Sequence, residues 1–263
     1  MRVLTFTVLL FCALLPSPAL GASCEGAAAC LEQGVAAFER EDYKEAANAF
    51  DAALEAEPTD PQLLVWRGRA YGRRAERATG FGKLAAFGMA RKVRESFEEA
   101  VAADPKNLDA LESLFSFYLE APGIVGGGTD KAEELIPRIA AVRPAQGERA
   151  RAQLFETAGN MAAAEAALRR AIELEADEIG HVLSLASFLA RRGRFDESDR
   201  LFAQGFERQP DSPRVWFSRA KALVRSERRP EEARRLLERY LRTPLEAPDA
   251  EPYSAARELL DQA

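Results

Sequence analysis

The chain has very little histidine and cysteine, two residue types with which enzymes commonly bind metals or activate nucleophiles. It contains one histidine and three cysteines in 263 residues, and no HExxH, CxxC or Gly-x-Ser-x-Gly motif occurs. We expect the histidine, His181, to be a surface or capping residue near a helix start. The carboxylates lie at helical spacing from Lys and Arg, which is typical of solvated helix faces. We predict that the protein is not an enzyme and has no metal site or cofactor.

An excess of positive charge is also missing, and β-branched residues are few. The formal net charge is -6 and the pI is about 5.2, which argues against nucleic acid as a partner. Hydrophobic residues make up 47% of the chain and charged residues 30%, a balance typical of a folded globular chain. Alanine and leucine are abundant, so the composition favours helices.

The first 21 residues have the composition of a secretory signal peptide. Arg2 precedes an apolar run, Val3–Leu15, which is too short to span a bilayer comfortably. The stretch Ala19-Leu20-Gly21 offers small residues at the positions that a signal peptidase reads. We predict an exported chain that begins at Ala22 and has no transmembrane segment.

Two cysteines remain after signal cleavage, in a short N-terminal segment at residues 22–29 and just beyond it. A disulfide between Cys24 and Cys30 is plausible in an oxidising compartment and would pin this segment. Two free thiols are the alternative. Cys24 could also carry a lipid anchor, although the stretch before it lacks the usual leucine three residues earlier.

A spacing of small, large and small residues recurs along the chain, and proline follows it in every copy except one, which has Ala176 at that position. Steps of four and three residues put the three side chains on one helix face, and proline ends the helix. Small residues upstream mark where a partner helix approaches closely, at Gly34, Gly68, Ala152, Ala186 and Ala220. The copies are Ala46-Phe50-Ala53-Pro58, Val93-Phe97-Ala100-Pro105, Ala132-Ile136-Ile139-Pro144, Ala164-Leu168-Ala171-Ala176, Ser198-Phe202-Gly205-Pro210 and a weaker Ala233-Leu237-Tyr240-Pro244.

This pattern, over about residues 28–245, resembles the tetratricopeptide repeat family. The resemblance implies an all-α fold, in which antiparallel helix pairs stack into a right-handed superhelix with a concave binding face. We expect about six helical hairpins in residues 30–249 and a capping helix in residues 250–263. The resemblance also implies a scaffold that binds a protein or peptide.

Two insertions lengthen neighbouring repeats, at about residues 75–92 and 121–129. The second contains three consecutive glycines, and Gly123 and Gly128 have the gap of a phosphate-binding loop. However, Thr129 follows where lysine is needed and no strand precedes, so we predict an enlarged turn between two helices. Anion binding at the start of the next helix is the alternative.

The two insertions fall at equivalent turns of adjacent repeats, so we expect them to touch along one edge. Apolar residues in them either pack locally or form an edge site for a partner. These insertion-edge residues are Phe81, Phe87, Met89, Ile124 and Val125.

The first helix of each repeat should face the inner groove, and the repeat register predicts which side chains lie there. Both ends of the row are basic, so an acidic or carboxylate-bearing peptide could bind by charge-assisted hydrogen bonds. Ordinary solvated charges are the alternative. The predicted partner-binding residues are Val65, Arg69, Arg73, Arg149, Gln153, Phe217, Lys221 and Arg225, with Glu112, Ser116, Glu120, Glu156, Leu183, Ser187 and Arg191 between them.

The sequence therefore predicts an exported scaffold or adaptor, located in the periplasm or secreted, with a role in envelope assembly or secretion. The alternative is a structural subunit of an envelope complex that associates with itself through its groove or its insertion edge.

Processing of the N-terminus is directly testable. We expect the exported protein to begin at Ala22, because signal peptidase cleaves after Gly21. Intact-mass spectrometry of protein purified from the exporting cell checks this. A mature chain that begins at Cys24 and carries acyl mass would instead establish a lipoprotein.

Overall fold

A computed structural model describes residues 24–78, 82–244 and 251–263. The predicted signal peptide, Phe81 and the first residue of the predicted capping segment lie outside these ranges. The described residues form α-helices and one short 3-10 turn at Gly123–Val125, with no strand among them. The helices are α1 Ala27–Glu39, α2 Tyr43–Ala56, α3 Pro61–Glu76, α4 Gly82–Ala103, α5 Leu108–Glu120, α6 Thr129–Val142, α7 Pro144–Thr157, α8 Met161–Leu174, α9 Ile179–Arg191, α10 Phe195–Arg208, α11 Pro213–Arg225, α12 Pro230–Leu241 and α13 Tyr253–Gln262.

Local sequence signals explain where many of these helices begin. Asp42, Asp60, Asn107 and Asn160 are N-caps whose side-chain oxygens accept the backbone N–H three residues later, at 2.9–3.2 Å. Proline occupies the first turn of α3, α7, α11 and α12, where its missing N–H costs no hydrogen bond. The helix pattern is therefore encoded locally, turn by turn.

The predicted fold, a solenoid of six helical hairpins and a capping helix, is confirmed. Successive helices pack in antiparallel pairs, from α1 with α2 to α11 with α12, and each pair packs on the next. The small-large spacing lies at the crossings: Gly34 faces the ring of Phe50, and Gly68 faces the ring of Phe97. Helix α13 covers the last pair by burying Ala256 and Leu259 in a cluster with Tyr240.

A buried ionic network, which the sequence analysis did not predict, links three helices near the C-terminal end. The side chain of Arg219 on α11 is only 5% exposed. Its guanidinium donates to Asp199 on α10 at 2.5 Å and to Glu232 on α12 at 2.9 Å. A buried cation needs such partners because desolvation would otherwise destabilise it. The network therefore fixes the last two hairpins against each other.

The glycine run forms a tight turn between α5 and α6, as predicted. The amides of Gly126, Gly127 and Gly128 donate to the carbonyl oxygens of Gly123, Pro122 and Tyr118. Because these donors are already used, the run offers no free amides to a phosphate. Gly126 adopts a left-handed conformation, with φ 99°, that favours glycine.

The glycine-rich insertion touches α4 just beyond the first insertion, and not through Phe87 or Ile124. The contact lies between Arg94 of α4 and the backbone at Gly126, where a Cβ would come within 2.3 Å of the guanidinium. Phe87 and Ile124 are instead 52% and 83% exposed. Of the five insertion-edge residues, these two are therefore not buried between the insertions, whereas Met89 packs against the large core cluster.

The glycine turn makes a testable prediction about stability. A Cβ on Gly127 would lie 1.8 Å from the carbonyl oxygen of Ala121, whereas a Cβ on Gly123 would meet nothing within 4 Å. We expect Gly127→Ala to lower the free energy of unfolding by about 1–3 kcal/mol, because backbone must move. The matched control, Gly123→Ala, should change it by less than about 0.5 kcal/mol. Urea denaturation measures both, and equal values would contradict the packing of this turn.

Candidate partner-binding groove

A cavity of about 1130 Å³ opens on the faces of α9 and α11 and reaches the end of α12. Its floor includes Phe217, which is nearly buried and contacts the ammonium of Lys221 at 5.4 Å from the ring centroid. The cations that line the cavity are Arg149, Arg191, Arg214, Lys221 and Arg225, against the two carboxylates Asp211 and Glu251. The cavity is therefore basic although the chain as a whole is acidic.

A second cavity of about 490 Å³ continues the first toward the middle of the solenoid. It is lined by α5 and α7, including Ser116 and Gln153, and it shares Arg149 and Arg214 with the first cavity. The two cavities lie along the first helices of hairpins three to six, and together we call them the groove.

The cations of the groove differ in how far they are neutralised. Arg191 pairs with Glu156 at 2.6 Å, and Lys221 pairs with Glu251 at 2.9 Å. Arg214 reaches Glu178 at 3.3 Å. By contrast, the exposed Arg225 has no ion pair or hydrogen bond with any described residue. The smaller cavity is also lined by the carboxylates Asp109, Glu112 and Glu178, so Arg225 in the larger cavity is the groove cation for which no pairing is seen among the described residues.

Arg149 lies where the two cavities meet. Its guanidinium donates to the side-chain oxygen of Gln146 at 2.7 Å, and the carboxylates Glu112 and Glu178 line the smaller cavity with it. Burial lowers the pKa of Arg149 from its ordinary value. The nearby Glu112 and Glu178 oppose this effect, and Arg214 and Arg143 add to it. An arginine stays charged in proteins, so a bound carboxylate would stabilise it.

Several residues predicted for the groove are engaged elsewhere. Val65 is 2% exposed and packs in the core, so its assignment as a partner contact was wrong. Leu183 is likewise buried. Arg69 pairs with Asp109, and Arg73 pairs with Glu76 at 3.1 Å, so both already have carboxylate partners.

The sequence analysis missed Arg214, which lines both cavities. It lies seven residues, or two helical turns, before Lys221 on the same face of α11. Extending the register by two turns toward the N-terminus of the helix would have found it.

A buried polar cluster lies under the groove, where hairpin four meets hairpin five. His181 is fully buried, so the expectation of a surface or capping residue was wrong. Its Nε2 lies 3.2 Å from Glu175, whose two carboxylate oxygens each accept from Nε of Arg143 at 2.9 Å. The Nδ1 atom has no partner among the described residues. Burial lowers the pKa of His181, and the hydrogen bond with Glu175 partly opposes this effect.

Other kinds of site were sought over the described residues. Cys24 and Cys30 are joined by a disulfide, with Cα atoms 5.0 Å apart. Within residues 24–78, 82–244 and 251–263, no group of His, Cys, Asp and Glu is arranged to hold a metal ion. In the same ranges, every helix is too short or too polar to cross a bilayer.

Comparison with known proteins gives a consistent assignment. Tetratricopeptide repeat profiles match residues 31–86 and 183–255, and a second such profile matches residues 150–178. A thermophilic TPR protein of Thermus thermophilus is 25% identical over 75% of this chain and 99% of its own, with a TM-score of 0.56. A tetratricopeptide repeat protein of Parabacteroides merdae is 14% identical over 90% of this chain and 98% of its own, with a TM-score of 0.51. No curated protein gives a significant match.

The single histidine predicts a pH dependence of stability. Because the folded-state pKa of His181 lies below its ordinary value, the unfolded chain binds a proton first as pH falls. The contribution of neutral His181 to the free energy of unfolding is therefore fully present above about pH 6.5. Below that pH it declines, by at most about 1.4 kcal/mol per pH unit. We expect the free energy of unfolding, from urea titrations at pH 7.5 and 5.5, to fall more in the native protein than in His181→Gln. An equal fall in both would show that carboxylates cause it.

Proposed function

Because the chain belongs to the tetratricopeptide repeat family, whose solenoids present a concave face to proteins and peptides, we propose that it is an exported scaffold that binds an acidic protein segment in its groove. The observation that carries the proposal is the positive charge in the groove. The larger cavity has five cations against two carboxylates, and Arg225 has no carboxylate partner among the described residues, in a chain of net charge -6.

A carboxylate-rich segment fits this groove for a physical reason. Charged hydrogen bonds from arginine to carboxylate are among the stronger polar contacts, and a partly desolvated arginine gains most from them. The nearly buried ring of Phe217 adds an apolar floor beside Lys221. The occupant would be an extended segment that places acidic side chains, or a C-terminal carboxylate, along α11.

The predicted export signal supports a location in the periplasm or outside the cell, where a disulfide such as Cys24–Cys30 persists. A sulfur atom bonded to Cys30 cannot carry a lipid, so the disulfide favours a freely diffusing protein over a lipoprotein. In that compartment, an adaptor of this kind would serve envelope assembly or secretion by holding a partner in place.

A second candidate is self-association as a structural subunit. The exposed Phe87 and Ile124, on the insertion edge, favour this alternative because exposed large apolar side chains often mark protein contacts. Light scattering distinguishes the two functions. A stable oligomer without any partner favours the subunit, and a monomer favours the adaptor.

The test of the proposed function uses two charge reversals that differ only in position. A partner is first captured from periplasmic extract with the native protein and then titrated as a purified component. We expect Arg225→Glu, inside the groove, to weaken its binding about tenfold or more, since attraction becomes repulsion. Arg200→Glu, an exposed change on α10 outside the groove, should leave the affinity within about twofold.

Arg69→Glu provides a second comparison, because Arg69 is already paired with Asp109 and lines neither cavity of the groove. It should weaken binding less than Arg225→Glu does. If all three variants bind the partner alike, the groove is not the binding surface.

A further inference from the structure

The last helix touches the first hairpin of the solenoid. The backbone N–H of Ser254, in the first turn of α13, donates to the carboxylate of Glu41 at 2.7 Å. These residues are 213 positions apart in the chain. Glu41 lies in the turn between α1 and α2, so it caps the N-terminus of a helix from the far end of the sequence. Because each hairpin also packs on the next, the contacts form a closed circuit.

Arg77 reinforces this contact from a second direction. Its guanidinium pairs with the Glu41 carboxylate, donates to the Glu41 carbonyl oxygen at 3.1 Å and donates to the hydroxyl of Ser254 at 2.8 Å. It also lies over the ring of Tyr43, 4.6 Å from the centroid. Although burial acts to raise the pKa of Glu41, the hydrogen bonds from Ser254 and Arg77 bring it below its ordinary value. Glu41 is therefore ionised in this contact.

The turn that holds Glu41 has a left-handed backbone, as three other inter-helix turns do. Four inter-helix turns have the same hydrogen-bond pattern. In each, the residue that follows the turn residue donates its backbone N–H to the carbonyl oxygen of the residue five positions before it. The turn residues are Glu41, Gly159, Gly193 and Glu227, all with positive φ between 52° and 76°. Glycine adopts this conformation freely, whereas a residue with a Cβ is strained. Glu227 is exposed, but the Glu41 side chain is only 14% exposed and fully engaged.

The contact between the two ends is polar, unlike the joints between neighbouring hairpins. The apolar residues of α13 cluster with α11 and α12, and those of the first hairpin cluster with α3 and its successors. No apolar cluster of described residues spans the two ends. The circuit of contacts is therefore more easily broken here than at a hairpin joint, since no buried apolar surface has to be exposed.

We propose that α13 is a latch, which closes the solenoid by docking on Glu41 and Arg77 and opens without unfolding either end. The latch also reaches the groove, because Glu251, three residues before Ser254, lines the large cavity and pairs with Lys221. The latch itself does not depend on the proposed function, because no residue of the first hairpin lines the groove.

The test measures the distance between the two ends without any partner. Nitroxide labels on non-canonical amino acids at the exposed positions Lys44 and Arg257 spare the cysteines, and double electron–electron resonance gives the distance distribution. We expect one narrow distribution in the native protein and a longer, broader one in Glu41→Gly. Hydrogen exchange at the Ser254 amide should accelerate about tenfold or more in the same variant, since a charge-assisted hydrogen bond is lost.

Glu227→Gly is the matched control, because it relieves the same left-handed strain in an equivalent turn that carries no latch. It should leave both the distance and the exchange rate unchanged. Glu41→Gln, which keeps the shape of the side chain but not its charge, serves as the second variant if Glu41→Gly proves unstable. A distance distribution in Glu41→Gly identical to that of the native protein overturns the latch, whatever the outcome of the partner titration.

Discussion

The close approach of the two helices in each hairpin is the constraint on which the rest of the structure depends. A Cβ on Gly34 would lie 2.4 Å from the Phe50 ring, and a Cβ on Gly68 would lie 2.3 Å from the Phe97 ring. At these two crossings, glycine lets the ring of the second helix fill that space, and the small residues Ala152, Ala186 and Ala220 stand at the equivalent positions of other hairpins. Because similar crossings recur, successive hairpins stack with their first helices side by side. The groove is the surface that those first helices leave uncovered.

Charge is neutralised differently inside and outside this groove. On the outer faces, many cations pair within a single helix, as Arg170 does with Glu173 and Arg91 with Glu95. Such pairs form at three- or four-residue spacing without help from the tertiary structure. In the groove, Arg149 is partly desolvated and has Glu112 and Glu178 near it, whereas Arg225 has no ion pair with any described residue. The unpaired Arg225, on the wall of the larger cavity, directs the site toward an external anion.

The sequence predicted the features that depend on residue spacing within one helix. It did not predict the position of side chains whose surroundings are formed by residues distant in the chain. The repeat pattern predicted the hairpins and the buried face of each second helix. Register placed Lys221 and Arg225 in the groove. It misplaced Val65, because α3 packs against neighbours on several sides and Leu63, Leu64 and Val65 are all buried. His181 is buried by contacts that include Glu175 and, through it, Arg143, and no local pattern encodes that network.

The latch was invisible for the same reason, since its partners are separated by most of the chain. Its position nevertheless bears on what the groove can bind.

Glu251 supplies a carboxylate to Lys221 from within the chain, and an intramolecular ligand acts at an effective concentration in the millimolar range. A partner with one carboxylate competes poorly against it. Lys221 and Arg225 are about 6 Å apart along α11, and Arg214 is about 10 Å from Lys221 in the other direction. A segment with several carboxylates at such spacings also gains binding free energy at Arg225 and Arg214. That gain offsets the cost of displacing Glu251 from Lys221. The groove therefore selects for repeated negative charge rather than for a single acid.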